Sequence, residues 1–378
     1  MVKSPLQNHL NHNETINYGS YYTPENLVNL VYKVLSQNIL DLKKYKILDT
    51  SCGYGNFLQD GGVGADIDLK AFEVAKKNKS NCIFFNHNSL KNISRKQYDL
   101  QDSDKIIIVG NPPYNDTTSI IRSDIKKEFF DMDFDVKSRD FGISFLLSYN
   151  KLKADYICVL HPLSYLIKKS NFELLGDFKQ NYKLEKSIII SSHEFSSTSK
   201  ITSFPIIIAF YKKSSLPMTY LDICNYKFQT IDNKNFSISE FESIAKYTTK
   251  YPNQKTVKQE DAIAYFWTMR DINALKRSKT FTNQEFYNSI RVTKNNFSYY
   301  CYADVFKDYI KHIPYYFGNS EIMINHSEFK KLEQAFVAKA VSKHDFLKKY
   351  EVKSEVINCD FLINNYFKNL LKEHYVNK

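Results

Sequence analysis

Residues 111–114 read Asn-Pro-Pro-Tyr and follow directly on the apolar run Lys105-Ile-Ile-Ile-Val-Gly110. A side-chain amide, two prolines and an aromatic ring at the end of a buried strand suit the holding of a planar amino group for methylation. Such a nitrogen is a poor nucleophile because its lone pair is delocalised. If Asn111 Oδ1 and the main-chain carbonyl of Pro112 each accept one N–H, the nitrogen is drawn towards tetrahedral geometry. Its lone pair is then aimed at an electrophilic methyl, which is catalysis by positioning and electrostatics. Pro112 and Pro113 stiffen the loop, and the ring of Tyr114 offers a stacking face. Two prolines are also an ordinary way to stop a strand, since neither donates to a ladder, so the tetrapeptide alone would be a plain turn in most proteins.

A second constellation lies upstream. Tyr45-Lys-Ile-Leu-Asp-Thr-Ser-Cys-Gly-Tyr-Gly-Asn-Phe-Leu58 is a short apolar strand that ends in an acid and enters a Gly-x-Gly loop. Gly53 and Gly55 allow a sharp turn and close backbone approach to a ligand, as in nucleotide-binding βα turns. The third glycine of the dinucleotide pattern is missing, which disfavours a dinucleotide and allows a ligand without phosphates. Val63-Gly-Ala-Asp-Ile-Asp68 follows. There Asp66 is placed to take both ribose hydroxyls and Ile67 to cover an adenine face; a solvated strand end is the plain alternative for each acid.

The elements that must position these groups follow from periodicity. Apolar residues at Leu27, Leu30, Val31, Val34 and Leu35 predict an amphipathic helix over 25–39, with Thr23 as its cap and Pro24 in its first position. Apolar runs at 46–48, 82–85, 105–109, 156–160, 187–190 and 205–210 alternate with helical patterns at 69–79 and 141–152. That alternation predicts a mostly parallel, doubly wound Rossmann-like α/β sheet with ligands at the carboxyl ends of its strands. Between Asn56 and Val63 the chain is too short for a normal crossover helix, and Gly61 and Gly62 fall within it, so a trimmed loop is expected.

Composition sets outer bounds. A chain of 378 residues is long for one core, so two domains are expected. The formal net charge of +11 favours a polyanionic partner, with a lysine-rich solvated surface as the bland alternative. With 28 Tyr and 28 Phe, many rings must simply be core. Cys52, Cys82, Cys158, Cys224, Cys301 and Cys359 never form Cys-x-x-Cys, so neither a zinc knuckle nor a disulfide framework is expected, and reduced thiols in a cytoplasm are the simple reading. No run reaches membrane-spanning length, and Met-Val-Lys-Ser-Pro lacks the apolar core of a signal peptide.

Over residues 18–213 the order of motifs resembles the S-adenosylmethionine-dependent N6-adenine methyltransferases of DNA, the gamma class of the type II enzymes. The resemblance rests on Tyr21-Tyr-Thr-Pro24 before a helix, Asp49-x-x-Cys-Gly-x-Gly-Asn-Phe57, Asp66-Ile67-Asp68, Asn111-Pro-Pro-Tyr114, and Ser203-Phe-Pro-Ile-Ile-Ile-Ala-Phe-Tyr-Lys-Lys213 as a last core strand. It implies S-adenosylmethionine as cofactor and a flipped adenine in duplex DNA as substrate. By position, Tyr22 and Thr23 would meet the methionine end of the cofactor, and Asp49 and Thr50 would sit near its amino group. Cys52 and Gly53 would line the loop, Asp66 would hold the ribose, and Ile67 would pack on adenine. Where the family has an acid for the adenine amino group, Asn86-His-Asn-Ser-Leu90 offers Asn88, whose amide oxygen can also accept, with Ser89 beside it. Asn111 adjoins both cofactor and substrate. Tyr114 would cover one face of the flipped base. For the other face the family uses an aromatic shortly before its last core strand, which implies Phe195, with Phe204 as alternative.

Residues 1–17 read as a polar arm, 18–214 as the catalytic domain and 215–378 as a mixed α/β target-recognition domain that grips DNA. In that last region Lys276, Arg277, Lys279 and Lys294 are phosphate-contact candidates, and Arg291 or Arg270 could reach a base edge. The expected setting is a bacterial cytoplasm, with a monomer or dimer acting beside a separate cognate restriction endonuclease, and with neither metal nor membrane. Glutamine methyltransferases of release factors and ribosomal RNA guanine methyltransferases share the tetrapeptide. They generally lack both the Tyr-x-Thr-Pro helix start and a basic tail of this length. A non-catalytic DNA-binding module is disfavoured by the survival of tetrapeptide, glycine loop and ribose acid together.

Overall fold

The structure, a computed structural model, describes residues 22–114, 131–195, 203–349 and 359–377. The polar arm, Tyr21 and the serines after Phe195 lie outside the described residues. By contacts the chain divides into two compact units, one ending at Phe236 and the other beginning at Ser237, which is later than the change of composition at Ser214.

The first unit is built on seven strands: β1 (Lys46–Asp49), β2 (Val63–Asp66), β3 (Ile83–Asn86), β4 (Ile106–Gly110), β5 (Tyr156–Pro162), β6 (Tyr182–Ser191) and β7 (Pro205–Lys213). Their order is β3-β2-β1-β4-β5-β7-β6. The first five are parallel, with Leu48 opposite Ile108 and Gly110 opposite Val159, and β7 runs antiparallel to both β5 and β6. All five residues of β4 are buried, as expected of a central strand covered on both faces. The order reverses between β1 and β4, the kind of switch point at whose carboxyl ends open α/β sheets bind their ligands. This is the α/β sheet typical of class I methyltransferases.

Helix α1 (Glu25–Asn38) buries Leu27, Val28, Val31, Val34 and Leu35. They pack with Ile107, Val109, Cys158, Leu160, Ile206 and Ile208 of the sheet. Its cap corrects one sequence expectation: Pro24 is the N-cap and no side-chain bond closes it, because the Thr23 hydroxyl is engaged elsewhere. Helix α2 (Leu69–Asn78) is capped by Asp68, which accepts from Lys70 N and Ala71 N, and packs on β2 and β3. Helix α3 (Phe141–Lys151) is capped by Asp140 and buried on most sides.

Between β1 and β2 there is no helix. The loop instead drives Leu58, fully buried, onto the sheet at Gly64, where a Cβ would lie 2.7 Å from Leu58 Cδ1 and 2.9 Å from the Phe84 ring. A glycine within a strand thus replaces a helix by letting loop and sheet touch.

In the second unit, α4 (Phe297–Tyr309), α5 (Glu333–Lys343) and α6 (Cys359–Leu371) enclose an aromatic core. Tyr302 contacts the rings of Phe306, Phe329, Phe336, Tyr366 and Phe367. Beside them the short strands Ala264–Trp267, Phe281–Thr282 and Ser289–Val292 form an antiparallel sheet with the first in the middle. Among the described residues no helix is long and apolar enough to cross a membrane.

Candidate active site

The motifs separated in sequence meet at the carboxyl ends of β1, β2 and β4. Cys52 N donates to Ala65 O at 2.9 Å, tying the glycine loop to β2. Gly53 and Gly55 adopt φ of 51° and 78°, left-handed values that glycine takes without steric cost. Asp66 Oδ2 accepts from Gly53 N at 2.8 Å and its Oδ1 from Asp68 N at 2.9 Å. The acid after β2 therefore fixes the loop after β1. Ile67, beside it, is 38 % exposed, as are several other large apolar side chains of this protein.

Asn111 leaves β4 directly after Gly110, and its Nδ2 donates to Thr23 Oγ1 at 3.1 Å. Thr23 is held in turn by Asn56, whose Nδ2 donates to the Thr23 carbonyl at 3.0 Å. Tyr32 of α1 donates its hydroxyl to Phe57 O at 2.5 Å. Helix start, glycine loop and tetrapeptide are thereby linked by hydrogen bonds. Asn56 and Tyr32 were not singled out from sequence, although Asn56 stands within the Gly-x-Gly-Asn string that carried the loop.

Asp49 ends β1 beneath this arrangement. It is 1 % exposed; Oδ1 accepts from Ser51 N at 3.1 Å, and Oδ2 has no hydrogen-bond partner among the described residues. Burial pushes its carboxyl up to about 8, with the neighbouring Asp66 charge adding to the rise and the Ser51 N–H opposing it. Gly110 has φ 147°, and a Cβ there would lie 2.7 Å from Asp49 Oδ1. The residue before Asn111 must be small because the carboxyl occupies that space.

The other sequence candidates are placed as follows. Tyr22 meets Tyr54 edge-on at 6.1 Å. Thr50, Cys52 and Ser89 are buried, and burial raises the Cys52 thiol well above its usual range. Asn88 is held in a turn, with Oδ1 accepting from Leu90 N at 2.9 Å and Nδ2 donating to Asp131 O at 2.6 Å. Pro112 is buried, while Pro113 and Tyr114 are half-buried. Phe195 is 2 % exposed and belongs to the core under α1; Tyr114 and Phe204 pack against that core while half-buried.

Close by lies a buried polar stack. His161, at the end of β5, has its ring nearly parallel to those of Tyr165 and Tyr211, and its Nε2 pairs with the Tyr211 hydroxyl at 2.7 Å. Burial holds this imidazole down to about 4, against a raising contact from the Pro162 carbonyl, so it is neutral at physiological pH. Tyr165 donates to the Asp140 carboxylate that caps α3.

In the second unit, Arg270, Lys276, Arg277, Lys279 and Lys294 are exposed. Arg291 is not available in the same way. It forms a two-pronged pair with Glu285, Nε to Oε1 at 2.8 Å and Nη2 to Oε2 at 3.1 Å, while Nη1 donates to Val257 O. Its side chain is 14 % exposed. The sequence could show a basic residue in a basic stretch but not the carboxylate that claims it.

No protein-family model matches the chain, and no curated protein matches it. Among solved structures it is similar to a type I restriction-modification methyltransferase subunit of Streptococcus thermophilus, at 17 % identity over 59 % of this chain and 48 % of that one, with a TM-score of 0.39. A DrdV–DNA complex shares 14 % identity over 60 % of this chain and 29 % of that one, with a TM-score of 0.41. A tRNA (uracil-54, C5)-methyltransferase of Pyrococcus abyssi with bound S-adenosylhomocysteine shares 16 % identity over 48 % of this chain and 37 % of that one, with a TM-score of 0.26. The chain thus spans about half of the first of these and less of the other two.

Proposed function

We propose that this chain transfers a methyl group from S-adenosylmethionine to the exocyclic N6 of an adenine flipped out of duplex DNA, as the modification part of a bacterial restriction-modification system. The observation that carries the reading is Asn111, set one residue past the central strand, bonded to Thr23 and backed through Gly110 by Asp49. The cofactor, when bound, supplies an electrophilic sulfonium methyl. Its fit to this chain is supported by the unpaired, buried Asp49 Oδ2, by the exposed Ile67 and by the glycine loop that Asp66 holds open. Thr23 and Asp49 would hold its amino-acid end, Asp66 its ribose and Ile67 its adenine.

The chain's own part in catalysis is to orient a weak nucleophile. Asn111 Oδ1 and the Pro112 carbonyl accept the two N–H bonds of the amino group, and no strong base is needed because the proton leaves after transfer. A base within a duplex cannot reach this crevice, and extruding it costs a few kcal/mol, which stacking helps to offset. Tyr114 offers one face. For the other, Phe195 would have to leave the core in which it is packed, whereas half-buried Phe204 needs no such rearrangement. Phosphate contact falls to Lys276, Arg277, Lys279 and Lys294, and with Arg291 paired to Glu285 the base-edge role falls to Arg270.

The test is incubation with labelled S-adenosylmethionine and, separately, unmethylated genomic DNA, release factor or ribosomal RNA, followed by digestion and identification of the product. N6-methyladenine from DNA supports the reading, and methylglutamine or methylguanine would sink it. Asn111→Ala should abolish transfer while largely sparing cofactor binding. Phe204→Ala should slow turnover more than Phe195→Ala once both variants are corrected for folded fraction.

A further inference from the structure

Two aspartates stand at the carboxyl ends of adjacent strands, and their surroundings push them apart. Asp66 accepts two backbone N–H bonds, an arrangement that favours the carboxylate. Asp49 accepts one, is 1 % exposed, and turns Oδ2 to no partner among the described residues. The groups coupled to its charge are Tyr32 of α1, Cys52 of the glycine loop, Asp66 of β2, Tyr98 of the helical turn before β4, and Tyr149 of α3. Each is neutral or negative. From β4 the neighbour is Gly110, which brings no side chain. A buried acid so surrounded has only the Ser51 N–H to stabilise its charge, and pairs of carboxyls with divergent environments are the usual sign of divided roles.

We infer that Asp49 stays protonated until a ligand sets an ammonium group against it, so that uptake of a ligand bearing the methionine amino acid expels one proton, whereas an adenosine ligand without it expels none. The inference rests on the reading of this crevice as an S-adenosylmethionine site, and it makes Asp49 a residue that selects for the amino-acid end of the ligand. In the step, the carboxyl O–H breaks and its proton passes to solvent. The electron pair stays on the carboxylate, which then accepts from the ammonium N–H. The cation supplies what the protein withholds, because in a site of low dielectric an ion pair with the ligand outweighs a neutral contact. Since the ligand favours the ionised form, affinity rises with pH until the empty site is itself ionised, which burial sets at about 8.

Calorimetry on the full chain tests this with S-adenosylhomocysteine and 5′-methylthioadenosine, each titrated at pH 6.5 and 8.5 in phosphate and in Tris. The buffer dependence of the heat counts protons. S-adenosylhomocysteine should release close to one proton at pH 6.5 and markedly less at pH 8.5, and its Kd should fall about tenfold per pH unit over pH 6 to 7.5. Methylthioadenosine should release none at either pH, a comparison that needs no variant. Asp49→Asn should bind S-adenosylhomocysteine more weakly and without proton release. Heat independent of buffer in the wild type at pH 6.5, or equal release by Asp49→Asn, would overturn the inference and leave the cofactor reading standing. Failure of S-adenosylhomocysteine to bind at any pH would overturn both.

Discussion

Asp49 in the first unit and Asp304 in the second are equally buried, at 1 % and 0 % exposure, yet their surroundings are opposite. Asp304, on α4, lies 3.0 Å from Lys343 Nζ and 2.9 Å from His344 Nε2. Burial alone would raise its carboxyl, but the His344 hydrogen bond and the Lys343 charge outweigh that and hold it below the usual aspartate range. Asp49 has the same burial without a cation, and its carboxyl is pushed up to about 8. Burial fixes the penalty for carrying charge, and partners decide whether it is carried. The second unit supplies a lysine and a histidine hydrogen bond to one buried acid and uses them for structure. The other buried acid, Asp49, is left without them, and on the proposed function its missing partner would be the ammonium group of the ligand.

Breaking the satisfied member of the pair should have the largest effect. Lys343→Met leaves Asp304 with the His344 hydrogen bond alone and should cost about 3 kcal/mol in urea unfolding at pH 7, so an unchanged midpoint would mean the ion pair contributes nothing. The unsatisfied member should respond with the opposite sign. Its folded pKa lies above the unfolded one, so its contribution to stability is complete below about pH 4 and is lost as pH rises towards 8. Asp49→Asn escapes that loss and should stabilise the ligand-free protein by about 2 kcal/mol at pH 8, with no gain at pH 4. Thermal melts at the two pH values read the difference, and destabilisation at pH 8 would contradict it.

Gly110→Ala probes the space that Asp49 fills. With φ at 147° and a contact of 2.7 Å to Oδ1, it should cost about 1.5 kcal/mol. It should also weaken S-adenosylhomocysteine binding, and wild-type affinity in the variant would show that the carboxyl moves aside freely. The smallest effect concerns His161, buried without a charged partner. Its folded pKa is depressed, so its contribution is present above the unfolded value near 6.5 and is lost on acidification towards 4. Lowering pH from 7.5 to 6 should therefore remove about 0.8 kcal/mol from the wild type that His161→Phe does not lose, a difference readable in parallel urea curves.

What the sequence disclosed was local. The strand from Lys46 and the helix from Glu25 begin where the apolar pattern puts them, whereas the capping of the next helix by Asp68 was not read, since an acid after a strand serves equally as a solvated strand end. The link after Asn56 was legible as helix-free because its length forbids a crossover, although its packing of Leu58 on Gly64 was not. Thr23 was misplaced as a cap because its hydroxyl answers to Asn111, far away in sequence. The polar start of β6, Lys183 to Lys186, gave no strand signal, since an edge strand needs apolar residues on only one face. Arg291 and Phe195 carried the right residue types, but Glu285 and the core under α1 determine what they can do.

The insertion of β7 between β5 and β6 orders events during synthesis. When β6 emerges it has no neighbour in the sheet, and β5 keeps a bare edge of unpaired backbone groups until residues 205–213 arrive and bond to both. The crevice that holds Asn111 therefore cannot be finished while its own strands are being made. It waits for a late segment that contributes apolar packing rather than chemistry. A nascent chain stalled before Pro205 would carry the glycine loop, Asp66 and Asn111 and still present an open, adhesive edge.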